Sequence, residues 1–171
     1  MHVLFVCTGN ICRSPTAERL SRARAAASGV AEFEASSAGT RAVVGHPFHP
    51  DAEHVLVTLG GDPSNFAARH LTGRIATGAD LILTMTRAHR DTVLGIAPQR
   101  LNRTFTLLEA ARLVTEQNAR TLADLANLRP YIRANDTIDI SDPIGQSPAV
   151  FAAIGDQIAE AVPPILELCR S

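Results

Sequence analysis

The stretch Val3-Leu4-Phe5-Val6-Cys7-Thr8-Gly9-Asn10-Ile11-Cys12-Arg13-Ser14-Pro15-Thr16-Ala17-Glu18 decides the fold class. Val3–Val6 is a short apolar, partly β-branched run, the composition of a buried strand. It stops at a loop built around Gly9, Asn10 and Ser14, and Ser14-Pro15-Thr16-Ala17-Glu18 then opens a helix. The following dozen residues are rich in Ala and Arg, with Leu20, Ala23 and Ala27 on one face, and Gly29 closes them. Strand, tight loop and helix in that order begin an α/β unit.

Outward from that unit the pattern continues. Phe33–Ala38 reads as a second strand ending at Gly39-Thr40, Gly45–Pro50 as a loop, and Asp51 to Leu59 as a helix stopped by Gly60-Gly61. Asp80–Met85 is the clearest buried strand, followed by a helix from Arg87 to Leu94. Thr104-Phe105 forms a short fourth strand, with a helix from Leu107 to Val114. Residues 115–137 read as a loop or mobile excursion around a helical stretch at Thr121–Leu128. Ser147-Pro148 starts a last helix, whose apolar positions Val150, Phe151, Ile154, Ile158 and Val162 keep helical spacing, and Pro163-Pro164 should kink or split it.

A chain of 171 residues fits a single domain with a sizeable core, and neither a repeat nor a second domain is visible. The formal net charge of −1 gives no bulk attraction to nucleic acid or to an anionic membrane. All sixteen basic residues are Arg, and they are scattered. The apolar N-terminal run stops at Cys7, short of a signal peptide and of the roughly 20 residues of a membrane span. Three cysteines without a signal argue against a secreted disulfide framework, so a reducing cytoplasm is the expected compartment. No membrane insertion and no nucleic-acid partner are expected, and the chain is expected as a monomer or weak dimer.

The loop carries the chemistry. Cys7 and Arg13 bracket five residues, Thr8-Gly9-Asn10-Ile11-Cys12, between a strand and a helix N-terminus. Amides of such a loop form an anion-binding nest, and the helix adds the positive end of its dipole. The same donors stabilise a thiolate. Arg13 offers a planar fork for two phosphate oxygens, and Gly9 permits the backbone of a tight anion loop. Phosphate would therefore sit on Thr8, Gly9, Asn10, Ile11, Cys12 and Arg13, with Cys7 as nucleophile. The bland alternative, a structural cysteine and a surface arginine, does not explain the strand-loop-helix context.

A phosphate ester also needs an acid to protonate the leaving oxygen. Asp139-Ile140-Ser141-Asp142-Pro143-Ile144-Gly145 offers one, because Pro143 stiffens a loop that presents Asp142. Asp139 is the competing acid. By itself the Asp-Pro segment is a common turn; coupled to the Cys7/Arg13 loop it reads as the partner of the nucleophile.

With these residues in view, VLFVCTGNICRSPTAE (Val3–Glu18) resembles the signature of low molecular weight protein tyrosine phosphatases of the bacterial type. Ser37–Thr40, Ala79–Thr86 and Asp139–Ser147 resemble further segments of that family in the same order. The resemblance implies a three-layer α/β fold, with a four-stranded parallel sheet covered by helices on both faces. It implies Cys7 as nucleophile, Arg13 as phosphate-binding arginine and Asp142 as general acid. Asn10 is the implied brace of the phosphate loop, Ser14 the donor to the thiolate and Ser37 the support of Asn10. It implies a phosphotyrosine protein or small aryl phosphate as substrate, and the chemistry of the Cys7 loop needs no cofactor and no metal. The Cys7–Cys12 pair resembles relatives in which a reversible disulfide protects the nucleophile, a redox role for Cys12.

This chain departs from the resemblance in three places. Arg41-Ala42-Val43-Val44 and Ile144-Gly145 stand where tyrosine-specific relatives often carry aromatics, leaving Val43, Val44, Phe48 and Ile144 as an apolar rim, with His46–His49 beside it. Phe66 stands in register with a histidine of many relatives. His70, nearby, reads as a surface helix histidine, and Cys169 as a small buried hydrophobe. Arsenate reduction with an external thiol is the alternative activity, since arsenate mimics phosphate and positions 13–168 hold no cysteine to complete the reaction internally. A non-catalytic phosphate-binding module is a third reading, against which stand the retained Cys7, Arg13 and Asp142.

Overall fold

Alternation along one strand divides the interior. In the computed structural model, which describes residues 1–170, β1 (His2–Cys7) sends Val3, Phe5 and Cys7 to one face and Leu4 and Val6 to the other. It is buried on both sides, as a central parallel strand must be. Its neighbours are β2 (Glu34–Gly39) and β3 (Leu81–Thr84), and β4 (Thr104–Thr106) closes the sheet in the order β2-β1-β3-β4. All three pairings are parallel, with Val3 opposite both Ala35 and Leu81 and with Phe105 opposite Leu83.

The helices are α1 (Arg13–Ala27), α2 (Pro50–Thr58), α3 (Gly73–Thr77), α4 (Arg87–Ile96), α5 (Leu107–Gln117), α6 (Leu122–Leu128) and α7 (Pro148–Leu168). The larger core joins Phe5, Phe105 and Leu83 to α1, α5 and α7; the smaller joins Leu4, Val6 and Ile82 to Ala76 of α3 and Val93 of α4. Helices therefore cover both faces. Because β2 lies on one side of β1 and β3 on the other, the chain reverses direction beside β1, and a crevice opens at its carboxyl end. Cys7, the last residue of β1, sits at that crevice.

Two elements differ from the sequence expectation. α7 runs unbroken through Pro163 and Pro164. Pro163 removes the N–H that would bond the Ala159 carbonyl, and the Arg24 guanidinium donates to that oxygen instead. Pro163 itself is exposed to solvent. His70 is not helical: Asn65 adopts a left-handed φ of +53°, and the segment after it is extended, with His70 bridged to Gly39. α3, only five residues long, carries no readable period. Within 115–137 the structure forms α6 and a 3₁₀ turn at Arg129–Tyr131. α7 is the one helix among the described residues long and apolar enough to cross a membrane; here it packs on α1, α5 and α2.

Candidate active site

The loop after β1 is shaped from outside. The carbonyls of Cys7, Thr8 and Gly9 accept from the amides of Thr40, Arg41 and Val43, at 2.9, 2.9 and 3.0 Å. Those of Ile11 and Cys12 accept from His49 (2.8 Å) and Thr16 (3.1 Å). In a trans peptide unit the N–H points opposite to the C=O, so tying these oxygens outward turns the next residues' amides to the concave side. The first turn of α1 carries no acidic side chain, and Cys12 at its N-cap makes no side-chain cap bond. Those helix amides remain open to an anion.

The backbone freedom expected of Gly9 lies elsewhere. The left-handed residue of the loop is Asn10, at φ +55°, a conformation that Asn tolerates better than most residues. A Cβ on Gly9 would meet only Ile11 and Val43 at ordinary contact distance. Gly39 is the position that close approach demands, since a Cβ there would run into the Thr8 carbonyl.

A buried web holds the loop. Asn10 Nδ2 donates to Ser14 Oγ (3.0 Å) and to Ser37 Oγ (2.8 Å), and its Oδ1 accepts from the Arg69 amide (2.9 Å). Ser14 Oγ lies 2.9 Å from Cys7 Sγ. Ser37 Oγ donates to Glu18 Oε2 at 2.6 Å. Phe66 lies against Phe48, ring centroids 4.7 Å apart. The main-chain amide of Arg69 bonds Asn10 without any histidine at position 66.

Of the two candidate acids, Asp142 meets Arg13 across the crevice. Arg13, only 4% exposed, anchors Nη1 on the Ile140 carbonyl at 2.8 Å. Its Nη2 lies 3.1 Å from Asp142 Oδ2, whose side chain is 48% exposed. Arg13 Nε is buried without a partner among the described residues. One edge of the guanidinium is thus fixed to the fold, and the Nε–Nη2 edge is the fork an oxyanion can use. Asp139 is turned away: its Oδ1 accepts from the Arg87 amide at the start of α4 (2.8 Å), with Arg87 Nε at 3.5 Å.

Cys7, Thr8, Gly9, Ile11, Cys12, Arg13, Arg41, Val43, Asp142 and Ile144 line one open cleft of about 260 Å³. The expected rim is therefore only half right. Val43 and Ile144 form it, whereas Phe48 is buried in the core and Val44 points to solvent. Arg41, not singled out from the sequence, adds a cation to the mouth.

Burial, the Cys7 sulfur and Asp142 push the Cys12 thiol up to about 12, so at neutral pH it stays protonated beside Cys7. His89, also missed from the sequence, holds Thr8 Oγ1 with Nε2 at 2.8 Å. Burial and the nearby Arg13 charge lower it to about 4, and it is a neutral brace near pH 7.

Comparison with known proteins agrees with this geometry. Residues 2–111 match the family described as low molecular weight phosphotyrosine protein phosphatase. The chain is 41% identical over 97 residues to the low molecular weight protein-tyrosine-phosphatase Etp of Escherichia coli (strain K12), covering 57% of this chain and 62% of Etp. The matched part is thus less than two thirds of that relative's length. Against the probable low molecular weight protein-tyrosine-phosphatase EpsP of Ralstonia nicotianae identity is 39% over 107 residues, 63% of this chain and 70% of EpsP. Among solved structures, the low molecular weight protein tyrosine phosphatase from T. tengcongensis superposes with a TM-score of 0.79 at 30% identity, covering 98% of each chain. The YwlE arginine phosphatase from Geobacillus stearothermophilus superposes at 0.75 and 28% identity, covering 97% of this chain and 90% of YwlE.

Proposed function

Since the chain belongs to the low molecular weight phosphotyrosine protein phosphatase family, we propose that it hydrolyses phosphate monoesters through a phosphocysteine on Cys7. The observation that carries this reading is the single cleft shared by Cys7, Arg13 and Asp142. A phosphate ester entering it displaces Asp142 from Arg13 Nη2, and its oxygens take the Nε–Nη2 fork and the loop amides. The Cys7 thiolate, accepting from Ser14, attacks phosphorus in line with the ester oxygen. Asp142, released from Arg13 as a carboxylate and still at the cleft, takes a proton from solvent and passes it to the departing oxygen. It then takes a proton from the water that attacks the phosphocysteine, and inorganic phosphate leaves with the thiolate restored. Asp139, engaged by Arg87, stays out of this cycle.

Aryl phosphates, phosphotyrosine in a protein first among them, are the proposed substrates. Etp and EpsP carry that activity in their names, and Val43 and Ile144 offer an apolar rim. The proposed compartment is the reducing cytoplasm, in keeping with three free thiols. Cys12 is proposed to capture an oxidised Cys7 as a reversible disulfide under peroxide.

The test is hydrolysis of p-nitrophenyl phosphate and phenyl phosphate by wild type, Cys7→Ser and Asp142→Asn. Cys7→Ser is expected to lose nearly all turnover. Asp142→Asn is expected to lose about 10²–10⁴-fold on phenyl phosphate and less on the better leaving group. Substantial turnover by Cys7→Ser would refute the mechanism. Arms with arsenate plus a small thiol, and with phosphoarginine, separate the reductase alternative and the activity named for YwlE.

A further inference from the structure

Glu18 is a buried acid that the cycle above does not use. It lies in the second turn of α1, 5% exposed. A carboxylate so placed costs free energy unless its oxygens are occupied. Both are. Oε1 faces Arg22 Nη2 at 3.1 Å and Arg19 Nε at 3.4 Å, and Oε2 accepts from Ser37 Oγ at 2.6 Å.

The proton on every bond from Glu18 to Cys7 can be assigned. A main-chain amide only donates, so the Arg69 N–H fixes Oδ1 as the Asn10 atom that faces it. Asn10 Nδ2 therefore supplies both of its hydrogens, one to Ser14 Oγ and one to Ser37 Oγ. The Ser37 hydroxyl, accepting from Asn10, has one proton to give, and the ionised Glu18 only accepts. The Ser14 hydroxyl, accepting from Asn10 as well, is left with its proton for the Cys7 sulfur at 2.9 Å. A chain that starts at a fixed anion thus ends in a hydroxyl that can only donate to a second anion, the thiolate.

We propose that Glu18 is a positioning residue for the nucleophile: its carboxylate holds Ser37, Ser37 locks Asn10, and Asn10 orients Ser14 toward Cys7. This rests on the reading of Cys7 as nucleophile. Glu18→Gln breaks the assignment in a defined way. The two arginines both demand an oxygen at Oε1, so the new amide turns its NH₂ toward Ser37. Ser37 then faces two donors, and its own proton loses Glu18 as acceptor. Ser37 turns its proton to another acceptor and gives up the Asn10 hydrogen, so Asn10 is held by the Arg69 amide and Ser14 alone and directs Ser14 less firmly.

The experiment is alkylation of Cys7 by iodoacetamide over a pH series, read by mass spectrometry on wild type, Glu18→Gln, Ser14→Ala and the double variant. At acidic pH Glu18→Gln is expected to slow Cys7 alkylation about three- to tenfold, the size of one weakened hydrogen bond, with rates converging at alkaline pH where the thiol is ionised in both. In the Ser14→Ala background the substitution should add nothing. An equal slowing in that background, an equal slowing at high pH, or no slowing at all overturns the proposal. Should Glu18→Gln fail to fold, Ser37→Ala severs the same chain while leaving Glu18 its arginines, and it is held to the same three outcomes. Alkylation needs no phosphate ester. A wild type inactive on p-nitrophenyl phosphate would therefore count against the proposed activity and leave the positioning role of Glu18 to be decided by the alkylation rates.

Discussion

His89 is held between two threonines, with Nε2 on Thr8 Oγ1 at 2.8 Å and Nδ1 on Thr86 Oγ1 at 3.0 Å. Burial and Arg13 keep it neutral down to about pH 4, whereas the unfolded chain takes up its proton near 6.5. Between those values the unfolded state binds more protons, so stability falls as pH drops from about 6.5 to about 4 and loses nothing further to this group below that. Urea unfolding over that range should show a slope that His89→Gln, a neutral replacement, flattens by on the order of 1–2 kcal/mol. An unchanged slope would remove His89 as the cause. Residues of this kind are not legible in the sequence. Cys7, Asn10, Arg13 and Ser14 stand in one contiguous loop whose spacing carries its own chemistry. His89, Arg41 and Arg69 reach the site from three other segments and Glu18 from the next turn of α1, and Arg69 serves Asn10 through its main chain, which no side-chain pattern can reveal.

At the scale of elements, α7 carries the clearest disagreement with propensity. Two prolines predict a kink, yet the helix continues, because the carbonyl orphaned by Pro163 is capped from α1 by Arg24. Arg24→Met should lower stability by about 1–2 kcal/mol, the cost of a buried carbonyl left without its donor. In a Pro163→Ala background, where the restored N–H reclaims the Ala159 carbonyl, most of that loss should disappear in denaturant titrations. Strictly additive losses would contradict the capping account. β1, β3 and the start of α7 are legible because burial on both faces and a Ser-Pro start leave local marks. α3 and the extended segment at His70 are not. The first is too short for a period, and the second owes its shape to pairing with Gly39.

At the scale of the whole molecule, strand order alone places the crevice. The order in which strands are added reverses beside β1, and chain returning from beyond residue 138 brings Ile140 and Asp142 across the carboxyl end, with the Ile140 amide bonded to the Met85 carbonyl at 2.8 Å. The mouth lacks aromatic walls, with Ile144 45% exposed at its edge. Ile144→Tyr should raise kcat/KM for phenyl phosphate over an alkyl phosphate about two- to tenfold, as one stacked ring pair would. An equal change for both substrates would show that stacking is not involved. In the proposed cycle Cys7 carries the phosphoryl group during turnover. Acid-quenched turnover of p-nitrophenyl phosphate, followed by mass spectrometry of the Cys7 peptide, tests it directly. A phosphoryl adduct is expected on Cys7 and none, with no turnover, in Cys7→Ala; turnover that survives in Cys7→Ala, or an adduct on another residue, would refute a phosphocysteine on Cys7.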